Sequence, residues 1–259
     1  MSSFNIKKLF SIKLENTHFV LCILGIKLKF RYNYVGYNIS GKGNKIIYVN
    51  NGKEYVLSHF QKIQGLKISI KGDNNIIRIA HKNFKNVVLR VKSNNSSLVF
   101  KENDRLIRNL YVSAMYGDGQ YLEWGRNTSV IGAKVFLNEE NSSFIVGDDC
   151  MLSDNITIWA TDAHAILDKQ SSKVLNVVTK PLRVGNNCWI GYGSYLLKNT
   201  KLPDNTIVGS NSVVTGVFEE EFTAIAGNPA KVVKRNIRWD RRTAWRVIKD
   251  RDVIENRCC

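Results

Sequence analysis

Residues 184–216 read VGNNCWIGYGSYLLKNTKLPDNTIVGSNSVVTG. Apolar residues stand at Val184, Ile190, Leu196, Leu202, Val208 and Val214, six apart throughout. The fifth place of each hexad is small: Cys188, Ser194, Thr200, Thr206 and Ser212. The second place is often glycine, at Gly185, Gly191 and Gly209. A period of six matches neither a helix, at about 3.6, nor a simple alternating strand, at about 2.0. It fits a solenoid whose short strands turn a corner every six residues, a β-helix signature. One apolar side chain per strand then points to the axis, and the small residue fits the corner.

The same spacing extends upstream. Phe100, Leu106 and Val112 are six apart, as are Trp124, Val130 and Phe136, and Val146, Leu152 and Ile158. Three strands per turn make a triangular prism. Between Val146 and Val184 the chain exceeds three hexads by twenty residues, so a loop spanning 164–183 leaves one corner. A long loop in a tight solenoid is more often functional than decorative. Residues 39–99 repeat β-branched runs and Asn/Gly turns at roughly twenty residues, the grammar of irregular coils. The register breaks after Gly216 and resumes in AIAGNPAKVVK, 224–234. These spacings divide the chain into an appendage over 1–38, a solenoid over 39–234 and a C-terminal helix within 235–259. The helical pattern covers about 237–254, with Ile237, Trp239, Trp245 and Ile248 placed to cap the open prism end. In the appendage a short helix is expected around Phe4–Ile12, and FVLCILGI at 19–26 reads as a strand packing on the first coil. That run is too short to span a bilayer, which takes about 20 residues. Flanking lysines make an interfacial anchor the competing reading.

The 259 residues carry 38 Lys+Arg against 22 Asp+Glu, a formal net charge of +16. Such a balance implies anionic partners: a phosphorylated cofactor, an acidic polymer, nucleic acid or an anionic membrane surface. No nucleic-acid recognition motif accompanies the charge. The five cysteines form no metal-binding spacing, no metal is expected, and reduced thiols in a cytoplasm are the reading.

Of four histidines, only His164 lies in the sharply periodic part, at the root of the loop in IWATDAHAILD. An imidazole there can take a proton from a hydroxyl or amine at neutral pH. Asp162 and Asp168 lie close enough in sequence for either to orient the ring, and Trp189 follows on the next coil.

Three segments carry a resemblance. TDAHAILD (161–168), TKPLRVGNNCWIGYGS (179–194) and AGNPAKVVK (226–234) are similar, in this order and spacing, to the catalytic-histidine loop, the "WIG" segment and the coenzyme A element of the hexapeptide-repeat acyltransferases. Within that superfamily the chain most resembles bacterial capsule and surface-polysaccharide O-acetyltransferases. The resemblance implies a left-handed parallel β-helix and acetyl-CoA as acetyl donor. It implies His164 as general base and Trp189 beside thioester and acceptor. Gly191 and Tyr192 would lie near the acetyl-pantetheine arm, Ser210 and Thr215 along the coenzyme groove, and Lys231 and Lys234 at its phosphates. It further implies a homotrimer acting on a polysaccharide or lipid-linked glycan, in the cytoplasm or at the cytoplasmic face of the inner membrane. Two departures stand out: Tyr192 replaces a small residue, and Ala165 replaces the proline usual after the histidine. An N-acetyltransferase of an amino sugar, sugar nucleotide or antibiotic, and an inactive structural solenoid, are the alternatives.

Overall fold

The computed structural model describes residues 37–255 except 59–60, together with the strands Phe10–Glu15, His18–Ile23 and Ile26–Arg31; residues 1–9, 16–17, 24–25, 32–36 and 256–259 lie outside the description. Those three strands form an antiparallel sheet of their own. Phe10–Ile12 is therefore strand, and the rest of the helix expected there lies outside the described residues.

The remainder is a left-handed parallel β-helix of three eight-stranded faces. The chain visits them in rotation. The first face runs from Tyr37–Ser40 through Leu66–Lys71, Val87–Lys92, Leu110–Met115, Ala133–Leu137, Ile156–Trp159 and Tyr195–Leu197 to Val213–Val214. The second includes Ile76–His81, Ser97–Asn103, Tyr121–Trp124, Ser143–Val146, Leu182–Val184 and Lys201–Leu202. The third includes Ile107–Arg108, Ser129–Val130, Met151–Leu152, Trp189–Ile190, Ile207–Val208 and the hairpin Ala224–Gly227/Ala230–Lys234.

All six hexad residues from Val184 to Val214 are buried, and so are all five small fifth-place residues. The hydroxyls satisfy corner carbonyls: Ser194 Oγ donates to Gly209 O at 3.0 Å, Thr200 Oγ1 to Val214 O at 3.1 Å and Thr206 Oγ1 to Pro203 O at 2.9 Å. A buried carbonyl left unpaired would cost about 1–3 kcal/mol, so the fifth place must be small and polar together. The fourth place matters as much. Asn187, Gly193, Asn199, Asn205 and Asn211 all have positive φ, between 50° and 69°. Each corner passes through the left-handed region, which Asn and Gly enter most easily. The second-place glycine answers a different constraint: a Cβ on Gly191 would lie 2.6 Å from Val208 O on the next coil.

Upstream, two inward positions differ from the hexad count. Leu106 is exposed and Ile107 is buried. The strand Ser97–Asn103 carries a register irregularity, and buried Asn103 takes the extra slot, donating to Thr128 O at 2.7 Å. Val135 rather than Phe136 points inward, because the preceding corner is one residue shorter. Phe136 stacks instead on Trp159 outside the prism, ring centroids 4.1 Å apart.

The C-terminus also departs from expectation. The helix spans Ala244–Glu255, starting later than the sequence pattern suggests, and leaves Trp245 and Ile248 59% and 60% exposed. The open end is closed by the antiparallel hairpin, which buries Ile225 and Ala230. Residues 235–243 then run back over the third face as a strap. Ile237 N donates to Phe222 O at 3.0 Å, Trp239 Nε1 to Asn187 O at 2.7 Å, and the Arg241 guanidinium reaches Cys150 O at 2.7 Å and Asn127 O at 3.0 Å. These contacts climb the solenoid toward its earlier coils. The long carbonyl-directed reach of Arg241 holds the segment there, so it is not free to fold over the prism end.

Candidate active site

The lid leaves the corner between first and second faces just after Ile156–Trp159. Its root is clamped. Asp162 pairs with Lys198 of the next coil, and its Oδ2 accepts from Asn176 Nδ2 at 2.8 Å. Asn176 Nδ2 also donates to the His164 carbonyl at 2.8 Å, and Lys198 Nζ donates to the Asn176 carbonyl at 2.8 Å. Partial burial pushes the Asp162 carboxyl up, but the Lys198 and Asn176 contacts outweigh it and hold the pKa below its ordinary value. Asp162 just before the loop 164–183, Asn176 within it and Lys198 from the coil beneath thus tie its outgoing and returning chain together.

His164 emerges from this clamp into a cleft of about 230 Å³ lined by Tyr116, Asn138, Glu139, Val174 and Asn176. Among the described residues its ring nitrogens have no hydrogen-bond partner, so the imidazole is available to a ligand. Asp168 does not orient it. The Asp168 carboxylate accepts from Ser171 N and Ser171 Oγ, both at 2.8 Å, and the Ser171 backbone N–H is the main cause of its lowered pKa. Asp168 closes the lid's own turn, and Asp162 acts on the lid's root. Sequence reasoning missed Asn176 and the role of Lys198; a lysine on the coil below the lid root, opposite a lid carboxylate, is the signal.

The other candidates fall elsewhere on the prism. Trp189 opens a third-face strand, its indole 6.2 Å from that of Trp239 on the strap and its Nε1 3.4 Å from Ser153 Oγ. It does not share the corner of His164, contrary to the proximity suggested by sequence. Third-face strands follow the second corner, one side further round the coil. Gly191 and Tyr192 form the corner between third and first faces, and Ser210 occupies the same corner one coil on. Lys231, opposite Ala226, lies at that end of the hairpin, whereas Lys234, opposite Ala224, lies at the Trp189 end. Thr215 follows the last first-face strand, one coil below Leu197 and near the lid side. The Gly191 N–H is committed to Val208 O at 2.8 Å. Tyr192 is 52% exposed, and among the described residues its N–H is unpartnered. Cys150 and Cys188 are free and buried in the core, away from the cleft. Among the described residues no group of three or more His, Cys, Asp or Glu could hold a metal, and no helix is long and apolar enough to cross a membrane.

Comparison with known proteins matches residues 181–216 to the bacterial transferase hexapeptide family (six repeats). The polysialic acid O-acetyltransferase of Neisseria meningitidis is 31% identical over 179 residues, covering 68% of this chain and 80% of that protein. The Escherichia coli O1:K1 / APEC polysialic acid O-acetyltransferase is 31% identical over 126 residues, covering 49% of this chain and 40% of that protein. A putative lipopolysaccharide biosynthesis O-acetyl transferase of Escherichia coli K12 is 34% identical over 111 residues, covering 43% and 48%. The chain thus spans less than half the length of these two Escherichia coli relatives. In three dimensions it is similar to the crystal structure of the polysialic acid O-acetyltransferase OatWY, with a TM-score of 0.60 at 24% identity over 85% of this chain and 98% of that one. The polySia-specific acetyltransferase NeuO gives a TM-score of 0.51 at 22% identity over 85% and 94%. These two likenesses bear on the fold; the Neisseria relative, aligned over four-fifths of its length, bears on descent, and with the hexads in unbroken register the chain belongs to the bacterial hexapeptide-repeat transferase family.

Proposed function

We propose that the protein is an acetyl-CoA-dependent O-acetyltransferase acting on a sugar hydroxyl of a bacterial surface polysaccharide. The observation that carries this is His164: an uncommitted imidazole at a clamped loop root, facing a cleft of about 230 Å³. In the reaction a glycan hydroxyl loses its proton to His164 as its oxygen attacks the thioester carbonyl. The tetrahedral intermediate then expels the coenzyme thiolate, which takes the proton back from the imidazolium. Direct transfer needs no covalent enzyme intermediate, only position and a base. The developing oxyanion needs a preorganised donor. Of the two candidate amides, the Tyr192 N–H is the one with capacity, since Gly191 N–H already serves the coil ladder.

Acetyl-CoA enters as donor substrate. Tyr192, Ser210 and Lys231 line one corner as an extended backbone groove ending in a cation, which suits an amide-rich arm with phosphates at its end. Trp189 flanks this groove from the third face, with Lys234 beyond it. Because His164 and this groove occupy different corners of one prism, a complete site is formed between neighbouring copies. A homotrimer, with the lid of one subunit meeting the groove of the next, satisfies that requirement.

The test measures acceptor-dependent thiol release from acetyl-CoA across capsule and O-antigen polymers, with NMR locating the new acetyl groups. His164→Ala should lower kcat by about 10²-fold or more, the contribution of a general base. Unchanged kcat, or acetylation of amines in preference to hydroxyls, would overturn the reading. A monomer by light scattering that turns over at full rate would overturn the shared site.

A further inference from the structure

Left-handed backbone turns the corners of this solenoid, and residues that enter that region readily carry nearly all of it. Among the described residues, those at positive φ that are not glycine are Asn or Asp, except Tyr116, Ala163, Ser172 and Phe222. Two of these exceptions, Tyr116 and Ala163, line the His164 cleft, and Ala163 is the residue before His164. Ala163 lies at φ 61°. Alanine has no side-chain group to offset the crowding of its Cβ there, so the conformation persists only where neighbours impose it.

The neighbours form a chain of hydrogen bonds. Ala163 N donates to Thr161 Oγ1 at 2.9 Å. Thr161 is buried, and its hydroxyl donates in turn to Glu139 Oε2 at 2.6 Å. A carboxylate only accepts, so it draws the hydroxyl hydrogen to itself and leaves a Thr161 lone pair for the Ala163 N–H. Glu139 belongs to the corner one coil earlier, and the two corners are stacked, Ala160 N donating to Phe136 O at 3.1 Å. Glu139 is itself held from the core. Its carbonyl accepts from Ser142 Oγ at 2.8 Å and from Nε2 of the buried Gln120 at 3.2 Å, and Gln120 Oε1 accepts from Ser96 Oγ at 2.6 Å. On the far side of the imidazole, the His164 carbonyl is fixed by Asn176. Backbone held on both sides of a residue sets where its Cβ points, and here it points a base into the cleft.

We infer that Glu139 is a positioning residue for His164, acting through Thr161 on the left-handed step at Ala163. The inference rests on the acetyltransferase reading and adds to it the group that aims the base. The carboxylates nearer in sequence are engaged elsewhere, Asp162 with Lys198 and Asp168 with Ser171. Without the Glu139 carboxylate the Thr161 hydroxyl rotates, the Ala163 N–H loses its fixed acceptor, and Ala163 relaxes toward an ordinary backbone region. That carries the imidazole away from the hydroxyl it is to deprotonate. Misplacement by about 1 Å can cost about 10²-fold in rate, so a partial loosening should cost about tenfold.

The experiment compares wild type with Glu139→Ala, Glu139→Gln, Thr161→Val and the double variants Glu139→Ala/Thr161→Val and Thr161→Val/Ala163→Gly. It measures kcat and KM for acetyl-CoA, with the capsule or O-antigen polymer that wild type acetylates as acceptor, and the exchange protection of the Ala163 amide. Glu139→Ala and Thr161→Val should each lower kcat about tenfold and leave KM for acetyl-CoA within about twofold. Because they act in series, the two together should cost no more than either alone. Glu139→Gln keeps an acceptor oxygen and should recover most of the loss. Glycine enters the left-handed region unaided, so adding Ala163→Gly to Thr161→Val should restore most of kcat. Ala163 amide protection should fall about tenfold in Glu139→Ala and in Thr161→Val. If Glu139→Ala fails to fold, the Thr161→Val pair carries the same test. Wild-type kcat in Glu139→Ala, additive losses or no rescue by glycine would overturn the positioning chain. Glu139→Gln as impaired as Glu139→Ala would also overturn it, since the carboxylate's charge would then act on the ring itself. The two failures separate: a wild type that acetylates no glycan defeats the proposed function while Ala163 protection still decides the chain, and full transfer with Ala163 protection intact in Glu139→Ala does the reverse.

Discussion

The coils on either side of the lid follow one plan at two widths. After it, from Val184, a full turn takes 18 residues, Val184 to Leu202, and strands are two or three residues long. Before it, a turn takes 21 residues from Leu66 to Val87 and 23 from Leu110 to Ala133, and strands of the first and second faces reach six or seven while third-face strands such as Ile107–Arg108 keep two. The wide coils need larger fillers. Phe84, Phe100, Trp124 and Phe144 follow one another along the axis with centroids 5.7 to 6.4 Å apart, edge-to-face except for the stacked Phe100–Trp124 pair, where the narrow coils use Val, Leu and Ile. A long strand shows three outward positions per face; a two-residue strand shows one. The narrow coils thus present little but backbone and corners, and the wide ones present more outward side chains. That division places the outward cations of the first face before the lid and the corner proposed for the donor after it.

The comparison makes its largest prediction about the core. Trp124→Ala removes an indole that is fully buried and donates to Thr128 O at 3.0 Å, and should cost about 3–5 kcal/mol. Ile190→Val, in the narrow half, should cost about 0.5–1.5 kcal/mol. Urea midpoints read both, and equal losses would mean the two halves do not differ in how tightly they are filled. Next come the corners. Asn205→Ala forces a Cβ residue without amide help into the left-handed region at φ 60°, for about 1–2 kcal/mol, whereas Asn205→Gly should cost less. If alanine were as stable as glycine there, corner conformation would not be what fixes the narrow coils. The smallest effect belongs to the lid between the halves. The Asp162 pKa is lowered in the folded chain, so its stabilising contribution is present above the ordinary carboxylate range, near pH 4, and is lost as pH falls through the lowered value. The protection of lid amides, measured as exchange relative to the intrinsic rate at each pH, should hold from pH 8 to 5 and fall only in more acid solution. Asp162→Asn should bring that loss of protection to neutral pH while changing overall stability by less than about 1 kcal/mol, as befits a pair open to solvent. A lid already mobile at pH 7 in the unaltered protein would break this account.

The narrow half was legible because a single constraint, six residues per side, acts on every coil and leaves Val184, Ile190 and their successors in phase. Upstream that constraint is relaxed by one residue at a time. Leu106 and Phe136 sit where a strict count puts the core, and only the paired coil reveals that Ile107 and Val135 occupy it. The fourth-place Asn residues were visible as letters, yet their purpose lies in a dihedral angle that spacing does not express. His164 could be singled out because it alone combines a titratable ring with an interruption of the period. Its relation to Trp189 could not, since residues near in sequence on a solenoid can face different sides. Asp162 and Asp168 are alike by distance from His164 along the chain; Lys198 beneath one and Ser171 beside the other separate their roles. The tail's aromatics suggested a cap because an open end needs one, but the hairpin had already met that need.

The strap illustrates how a contact can be insulated from change in the surface it grips. Arg241 binds Asn127, Asp149 and Cys150 through their carbonyl oxygens, with Ser129 Oγ the one side-chain acceptor among the described residues. A main-chain carbonyl is the same whichever amino acid carries it. Substitutions at 127, 149 and 150 can therefore accumulate without removing an acceptor, provided the corner keeps its course. The vulnerability is concentrated on the other side, in a single arginine codon, and lineages diverging from this sequence are free to redraw the gripped coils far more readily than the residue that grips them.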